Sequence, residues 1–261
     1  DKSKLGDIIP LNYQYECSAV IYKILSKSDE KFSQWLHDNG YNADKKLFKL
    51  FTFSRFNIPK YQQLGDKLKI LSDIMEWYIS FIPETSTREF IQGIFREQEF
   101  TIGNKQARIS CIVKSIEMLP PPQIEESMIL ETLSPICLTL KRENGTDEYI
   151  SPTHPKANEL IKQNLLDKYR AANGQQMTNE KIFFDFKALS EPKSTLITIK
   201  ADTAQESKVR GYNCRFQLSA PKELMQIAYD GGVGSKNSMG FGMVKTIKEN
   251  NKKSKRSPSC Y

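Results

Sequence analysis

The sequence predicts an α+β protein of two tandem ferredoxin-like (RRM-like) domains, each with an antiparallel sheet and helices on one face. Segments with apolar residues at helical spacing are interspersed with segments that alternate in the manner of strands. A similar succession of helices and strands occurs twice along the 261 residues. The run Pro120-Pro121-Pro122 lies between the two series and breaks both kinds of element. We therefore predict one domain over residues 1–122 and another over residues 123–250.

The N-terminal half is expected to begin with a helix, because residues 1–9 contain no obvious counterpart of the first strand of the fold. The expected elements are helices within 15–36 with a break near 26–29, strands at 48–56, 67–71 and 75–82, a helix capped by Ser86 or Thr87, and a strand at 106–118. The strands at 67–71 and 75–82 are expected to pair with each other.

The C-terminal half ends in a charged tail. The expected elements are a strand at 128–142, a helix at 155–172, one or two strands within 181–200, a strand at 208–218, a helix at 221–229 and a strand from Phe241. The helix at 155–172 is expected to bury its apolar residues and to point its lysines outward. Residues 251–261 form a basic tail that is predicted to be disordered.

Composition narrows the function classes. Lys and Arg number 38 against 31 Asp and Glu, and the net charge of +7 with a pI near 9.0 suits a polyanionic partner. The two histidines, His37 and His154, have no acidic residue at ligand spacing, so neither a metal site nor a cofactor is expected. The five cysteines are scattered singly, which fits a reducing cytoplasm. No apolar run is long enough to predict a membrane span.

The stretch with the strongest compositional bias contains two Gly-x-Gly pairs separated by five residues. Its glycines predict an exposed loop of backbone amides, and the polar residues between the pairs suit an anion. A nucleotide-binding P-loop is disfavoured, because the order here is helix, loop, strand and the Gly-Lys-Ser/Thr sequence is absent. An ordinary connection that binds nothing is the alternative. The residues of this stretch that we expect to contact an anion are Gly232, Gly234, Lys236, Asn237, Ser238, Gly240 and Gly242.

This glycine pattern, placed between a final helix and a C-terminal strand, resembles the signature of the CRISPR-associated repeat-RNA-processing endoribonucleases of the RAMP superfamily. The segments Ala19-Val-Ile-Tyr22, Trp35-Leu-His37-Asp38 and Lys49-Leu-Phe-Thr-Phe-Ser54 look like the N-terminal motifs of that family, in the same order. The resemblance implies that Tyr22, His37 and Lys49 are catalytic. It also implies that the glycine loop contacts the phosphates of RNA.

These residue types fit RNA cleavage without a metal ion, since RNA supplies its own nucleophile in the 2′-hydroxyl group. An imidazole can act as acid or base near neutral pH, and a lysine can stabilise the charge that develops on phosphorus. Tyr22 is a poor base at its ordinary pKa and is expected to orient the hydroxyl or the phosphate. The alternatives are a Tyr22 ring that only anchors its helix, a Lys49 that only protects an edge strand, and a His37 that is an inert surface residue.

The function predicted from these observations is metal-independent cleavage of CRISPR repeat RNA (pre-crRNA), leaving 2′,3′-cyclic phosphate and 5′-hydroxyl ends. The expected partners are pre-crRNA and mature crRNA, and a CRISPR effector complex is a further candidate. The main alternative is a non-catalytic RNA-binding RAMP subunit of an effector complex. A basic domain with no role in RNA metabolism is the third reading.

Overall fold

A computed structural model describes residues 7–177, 182–201 and 203–247. The N-terminal half contains β1 (Ile8–Pro10), α1 (Gln14–Ser28), α2 (Glu30–Asp38), β2 (Tyr41–Ala43), β3 (Lys46–Phe48), β4 (Phe51–Phe53), β5 (Tyr61–Leu64), β6 (Lys67–Ile70), β7 (Ile79–Phe81), α3 (Glu84–Arg96), β8 (Glu99–Gly103) and β9 (Arg108–Ile112). The C-terminal half contains β10 (Ser127–Thr132), β11 (Thr139–Lys141), β12 (Asp147–Tyr149), α4 (Ala157–Asn173), β13 (Asp185–Ala188), β14 (Lys193–Ile199), β15 (Ser207–Asn213), β16 (Arg215–Ser219), α5 (Lys222–Gly231), the 3-10 helix Asn237–Met239 and β17 (Val244–Thr246).

The C-terminal half forms a ferredoxin-like sheet. Its strands lie in the order β13-β16-β10-β17, and neighbouring strands are antiparallel. With α4 after β10 and α5 after β16, the chain follows the β-α-β-β-α-β order of this fold. The two helices and the sheet bury one core, in which Ile161 and Leu224 of the helices join Leu130, Phe216 and Leu218 of the strands. Burial of these side chains is the main force that holds the layers together.

The N-terminal half has the same order of elements around a second core. Strand β1 is followed by α1 and α2, then by the antiparallel pair β4–β7, by α3 and by the β8–β9 hairpin. Apolar residues of α1, α3 and the strands pack together, among them Ile21, Phe53, Phe90 and Ile102. The predicted fold class, an α+β protein with tandem ferredoxin-like domains, is confirmed. The boundary at Pro120 falls within 113–126, a segment without helix or strand.

Several predicted strands are corrected by the structure. A first strand does exist, since β1 pairs with β6, but at three residues it is too short to show alternation. The strands near 67–71 and 75–82 do not pair with each other, because β6 lies between β1 and β5 while β7 pairs with β4. Strand β5 was not predicted, and all four of its side chains are exposed. The strand predicted at 208–218 is two strands that are separated at Cys214.

Two local backbone features explain further differences. Leu50 has a φ of +54°, a conformation that does not fit a strand, so β3 ends before it and β4 begins after it. The strand predicted at 48–56 is therefore only three residues long, Phe51–Phe53. Helix α3 begins at Glu84 after the extended Pro83, and Ser86 is buried within its first turn instead of capping it. The predicted tail 251–261 lies outside the described residues.

The two halves meet along the hairpin of β2 and β3, which contacts α4. Lys46 Nζ lies 2.5 Å from Asp167 Oδ2, and Arg170 pairs with Asp44. A second contact is made by the glycine-rich segment, which lies against α1 and β4. Elements of both halves therefore fix the surroundings of α1. No helix among the described residues is long and apolar enough to span a bilayer.

Candidate active site and glycine-rich loop

The three residues predicted to be catalytic lie together, although they belong to a helix, a helix end and a loop. Asp29 ends α1 and caps α2 by accepting a hydrogen bond from the backbone N–H of Phe32, so the chain reverses there. The Ser33 hydroxyl then ties α2 to α1 by donating to the carbonyl of Tyr22 at 2.9 Å. As a result, the rings of Tyr22 and His37 meet edge to face with centroids 5.1 Å apart.

Lys49 reaches the same point from the segment between β3 and β4. Its Nζ donates a 2.6 Å hydrogen bond to the carbonyl oxygen of His37. The chain just before Lys49 requires glycine at position 40, where φ is +68° and an added Cβ would lie 2.6 Å from the carbonyl oxygen of Phe48. Burial lowers the pKa of Lys49, and the negative charge of Asp38 partly opposes that shift.

Asp38 is a neighbour that the sequence analysis did not identify. Its Oδ1 lies 2.8 Å from Nδ1 of His37, and this hydrogen bond is the main cause of the lowered pKa of the Asp38 carboxyl group. An ionised carboxylate can only accept, so Nδ1 carries the proton and Nε2 is left for another partner. The His37 side chain is 68% exposed, so most of it is accessible to solvent.

Tyr22 is the most enclosed member of the group. Its ring packs at an angle against His37 and against Phe51, whose centroid is 5.8 Å away. Burial raises the pKa of its hydroxyl group well above the ordinary value near 10. The phenol is therefore protonated at neutral pH, so it can donate a hydrogen bond but cannot serve as a base.

The glycine-rich loop is less exposed than its composition predicted. Its four glycines are buried, and only Ser235, Lys236, Ser238 and Met239 are partly exposed. The glycines are needed for close packing of the backbone: a Cβ on Gly242 would lie 2.1 Å from the carbonyl oxygen of Val233. The prediction of an exposed loop of amides is therefore wrong for the glycines, and the accessible part is the short segment around Lys236.

Two side chains attach this loop to the N-terminal half. Ser18 Oγ donates to the carbonyl of Ser238 at 2.6 Å, and Thr52 Oγ1 donates to that of Phe241 at 3.0 Å. Asn237 closes the loop from within, because its buried side-chain amide donates to the same Phe241 carbonyl. Ser18 precedes Tyr22 by one turn of α1, so the loop and the Tyr22 ring lie along the same side of that helix.

Gly242→Ala is expected to lower the free energy of unfolding by about 2 to 4 kcal/mol, because the new Cβ would clash with Val233 and φ is +76°. Gly145 is a matched control, since its φ is +79° but an added Cβ would meet nothing within 4 Å. Gly145→Ala should cost only about 1 kcal/mol for the backbone conformation. Denaturant titration of both variants measures the difference, and equal losses would contradict the packing explanation.

Lys168 was also missed, and its placement corrects the prediction that the lysines of this helix point outward. Only 2% of Lys168 is exposed, and its Nζ donates to the carbonyls of Gly232 at 2.6 Å and Gly234 at 3.0 Å. A sequence signal was available, because position 168 follows Ile161 and Leu165 at the i+7 and i+3 spacing of the buried stripe. The position was predicted to be exposed because lysine is usually exposed.

Within residues 7–177, 182–201 and 203–247, no group of three or more His, Cys, Asp or Glu side chains is arranged to hold a metal ion. The predicted site residues that the structure brings together are Tyr22, His37 and Lys49, with the glycine-rich loop along the same helix. Together with two ferredoxin-like domains, a glycine-rich loop between the last helix and the last strand is the arrangement of the CRISPR-associated RAMP proteins.

Comparison with known proteins narrows this class to one family. Residues 8–114 match the family described as CRISPR-associated protein Cas6, N-terminal, and residues 119–246 match CRISPR associated protein Cas6, C-terminal. The chain belongs to the Cas6 family, and the resemblance noted in the sequence is confirmed.

Two relatives and one solved structure show the extent of the similarity. The chain is 31% identical over 255 residues to the CRISPR-associated endoribonuclease Cas6 1 of Methanocaldococcus jannaschii, covering 95% of this chain and 91% of that protein. It is 28% identical over 255 residues to the CRISPR-associated endoribonuclease Cas6 of Pyrococcus furiosus, covering 95% of this chain and 86% of that protein. Among solved structures, the product of a Cas6-related gene from Pyrococcus furiosus superimposes with a TM-score of 0.80 at 26% identity, covering 94% of this chain and 95% of that one.

Proposed function

We propose that the protein is an endoribonuclease that cleaves CRISPR repeat RNA without a metal ion, using the 2′-hydroxyl of the substrate as nucleophile. The observation that carries this proposal is that an exposed His37 ring contacts the Tyr22 ring, while Lys49 binds the backbone carbonyl of His37. The names of the similar endoribonucleases agree with it. The substrate is pre-crRNA, and the mature crRNA is the product that the protein binds.

The reaction is an in-line displacement at phosphorus. The 2′-oxygen forms a bond to phosphorus while the bond to the 5′-oxygen breaks, which gives a 2′,3′-cyclic phosphate and a 5′-hydroxyl group. One proton must leave the 2′-hydroxyl and one must reach the 5′-oxygen. His37 Nε2 serves one of these transfers, a contribution of about 10²- to 10⁴-fold in rate, and solvent water serves the other.

Lys49 and Tyr22 act on the phosphate. The Lys49 ammonium group stabilises the negative charge of the pentacoordinate phosphorus, a contribution that is usually among the largest in such sites. Tyr22, which burial keeps protonated, donates a hydrogen bond to a phosphate oxygen or to the 2′-hydroxyl. Asp38 fixes the imidazole with its Nε2 outward.

The glycine-rich loop binds the RNA backbone beside these residues. Its accessible segment offers the Lys236 ammonium group and the Ser238 hydroxyl, while Gly232, Gly234, Gly240 and Gly242 allow the tight path of the chain. The Asn237 side chain is occupied within the loop, so its contribution is to loop shape. The net charge of +7 favours association with a polyanion.

A second candidate function is RNA binding without cleavage, as a RAMP subunit of a CRISPR effector complex. It is favoured by a solved structure described as an RAMP protein binding different RNA substrates, which superimposes with a TM-score of 0.78 at 25% identity. Binding of this kind would need the loop and the basic surface but not the Tyr22, His37 and Lys49 group.

Incubation with the CRISPR repeat RNA of its own genome distinguishes these functions. In excess EDTA we expect cleavage at the same rate as with added Mg²⁺, because no step of the proposed reaction uses a metal ion. The control is the same incubation with added Mg²⁺. Cleavage that appears only with Mg²⁺ would contradict the metal-independent reaction, and tight binding without cleavage in both conditions would favour the second function.

A further inference from the structure

Lys168 places a buried amino group under the glycine-rich loop. No carboxylate of a described residue forms an ion pair with it, and burial alone lowers the pKa of its ammonium group to about 7. Removing an ammonium group from water is costly unless charge or hydrogen bonds compensate. Among residues 7–177, 182–201 and 203–247, the compensation is the pair of hydrogen bonds to the carbonyls of Gly232 and Gly234. The residue is therefore poorly explained by packing alone.

The two hydrogen bonds fix the beginning of the loop. The peptide after Gly232 is held at its oxygen by Lys168 and at its N–H, on Val233, by the carbonyl of Gly242 at 2.8 Å. The peptide after Gly234 is held at its oxygen by Lys168 and at its N–H, on Ser235, by the carbonyl of Cys137 at 2.8 Å. Lys168 thus sets the orientation of two peptide planes that close the loop and attach it to the C-terminal half.

The far side of the same loop reaches the helix of the candidate active site. The carbonyl of Ser238 accepts a hydrogen bond from Ser18, which precedes Tyr22 by one helical turn. Along the chain, Lys236 lies between Gly234, whose carbonyl Lys168 binds, and Ser238. Lys236 itself has a φ of +62°, a conformation that non-glycine residues seldom adopt without support from their surroundings. The nearer of the two carbonyls that Lys168 binds, that of Gly234, lies two residues before Lys236.

We propose that Lys168 is a positioning residue for RNA binding, which holds the first Gly-x-Gly segment in the conformation that presents Lys236 and Ser238 to the RNA backbone. The inference rests on the proposed role of the loop in binding repeat RNA. It assigns Lys168 no contact with the RNA and no part in the bond-breaking step.

Lys168→Met tests this inference, because methionine fills a similar volume without a donor. We expect the dissociation constant for repeat RNA with a 2′-deoxy scissile nucleotide to rise about tenfold, a loss of about 1.4 kcal/mol in binding. The midpoint of thermal unfolding should move by less than about 5 °C, since the loss of two hydrogen bonds is offset by removal of a buried charge. The single-turnover rate of cleavage at saturating protein should stay within about threefold of the unaltered rate, because bound RNA still meets the same catalytic groups.

Lys162→Met is the matched control, since Lys162 is a partly exposed lysine on the same helix and its loss changes the net charge equally. An unchanged RNA affinity in folded Lys168→Met would overturn the inference, and so would an affinity loss equal to that of Lys162→Met. If Lys168→Met does not fold, Lys168→Gln against Lys162→Gln gives the same comparison. If the unaltered protein binds no repeat RNA, the proposed function fails as well, which separates that outcome from a failure of the inference alone.

Discussion

Replacing His37 with alanine is expected to lower the single-turnover rate of repeat-RNA cleavage by about 10²- to 10⁴-fold. Imidazole is the side-chain group that most often serves as general acid or base in enzymes. Neither neighbour replaces it in the proposed reaction, since burial keeps the Tyr22 hydroxyl protonated and the Lys49 ammonium group acts on the phosphate. The rate should be measured with protein in excess, so that weaker binding does not lower it.

His154→Ala is the control for this substitution. His154 is the only other histidine of the chain, and its ring lies in the turn before α4, where Nδ1 accepts from the backbone N–H of Lys156. Its loss should leave the rate unchanged, and His37→Ala should still bind repeat RNA. An equal rate for the two variants would remove His37 from the reaction.

Much of the fold could be predicted from the sequence because its long elements have clear periodicity. The paired helices α1 and α2 were predicted with their break near Asp29, and α4 and α5 fall close to their predicted positions. The strands were predicted less well. Three-residue strands such as β1 and β4 are too short to alternate visibly, and the positive φ of Leu50 has no signature in a leucine.

The candidate site was predicted in its members but not in its geometry. Tyr22, His37 and Lys49 could be named because they stand in motifs that resemble those of a known family. The three side chains come together because the chain reverses at Asp29 and packs closely at Gly40. Neither feature can be derived from the spacing of residues along the chain.

The glycine-rich loop and Lys168 show how composition can mislead. Four glycines indicated exposed amides, yet here they serve backbone packing that excludes any side chain. A lysine was assigned to the outer face of α4 by its charge, although its position lies on the buried stripe. Both features depend on contacts with residues far away in the sequence, such as Cys137 and Gly242.

A single 2′-deoxy substitution at the scissile nucleotide is expected to abolish cleavage, because it removes the attacking oxygen itself. No side chain of the site replaces the 2′-oxygen as nucleophile in the proposed reaction, since a nucleophilic residue would need an activating base. Water activated by a metal ion is not part of that reaction either. Binding should be nearly unaffected, because the backbone charge that dominates RNA affinity is unchanged.

The decisive measurement compares all-ribose repeat RNA with this singly substituted RNA, in EDTA, and identifies the ends of any product. We predict complete cleavage of the first to 2′,3′-cyclic phosphate and 5′-hydroxyl ends, and none of the second. Cleavage of the substituted RNA, or products that carry a 5′-phosphate, would contradict attack by the sugar hydroxyl at the site formed by Tyr22, His37 and Lys49.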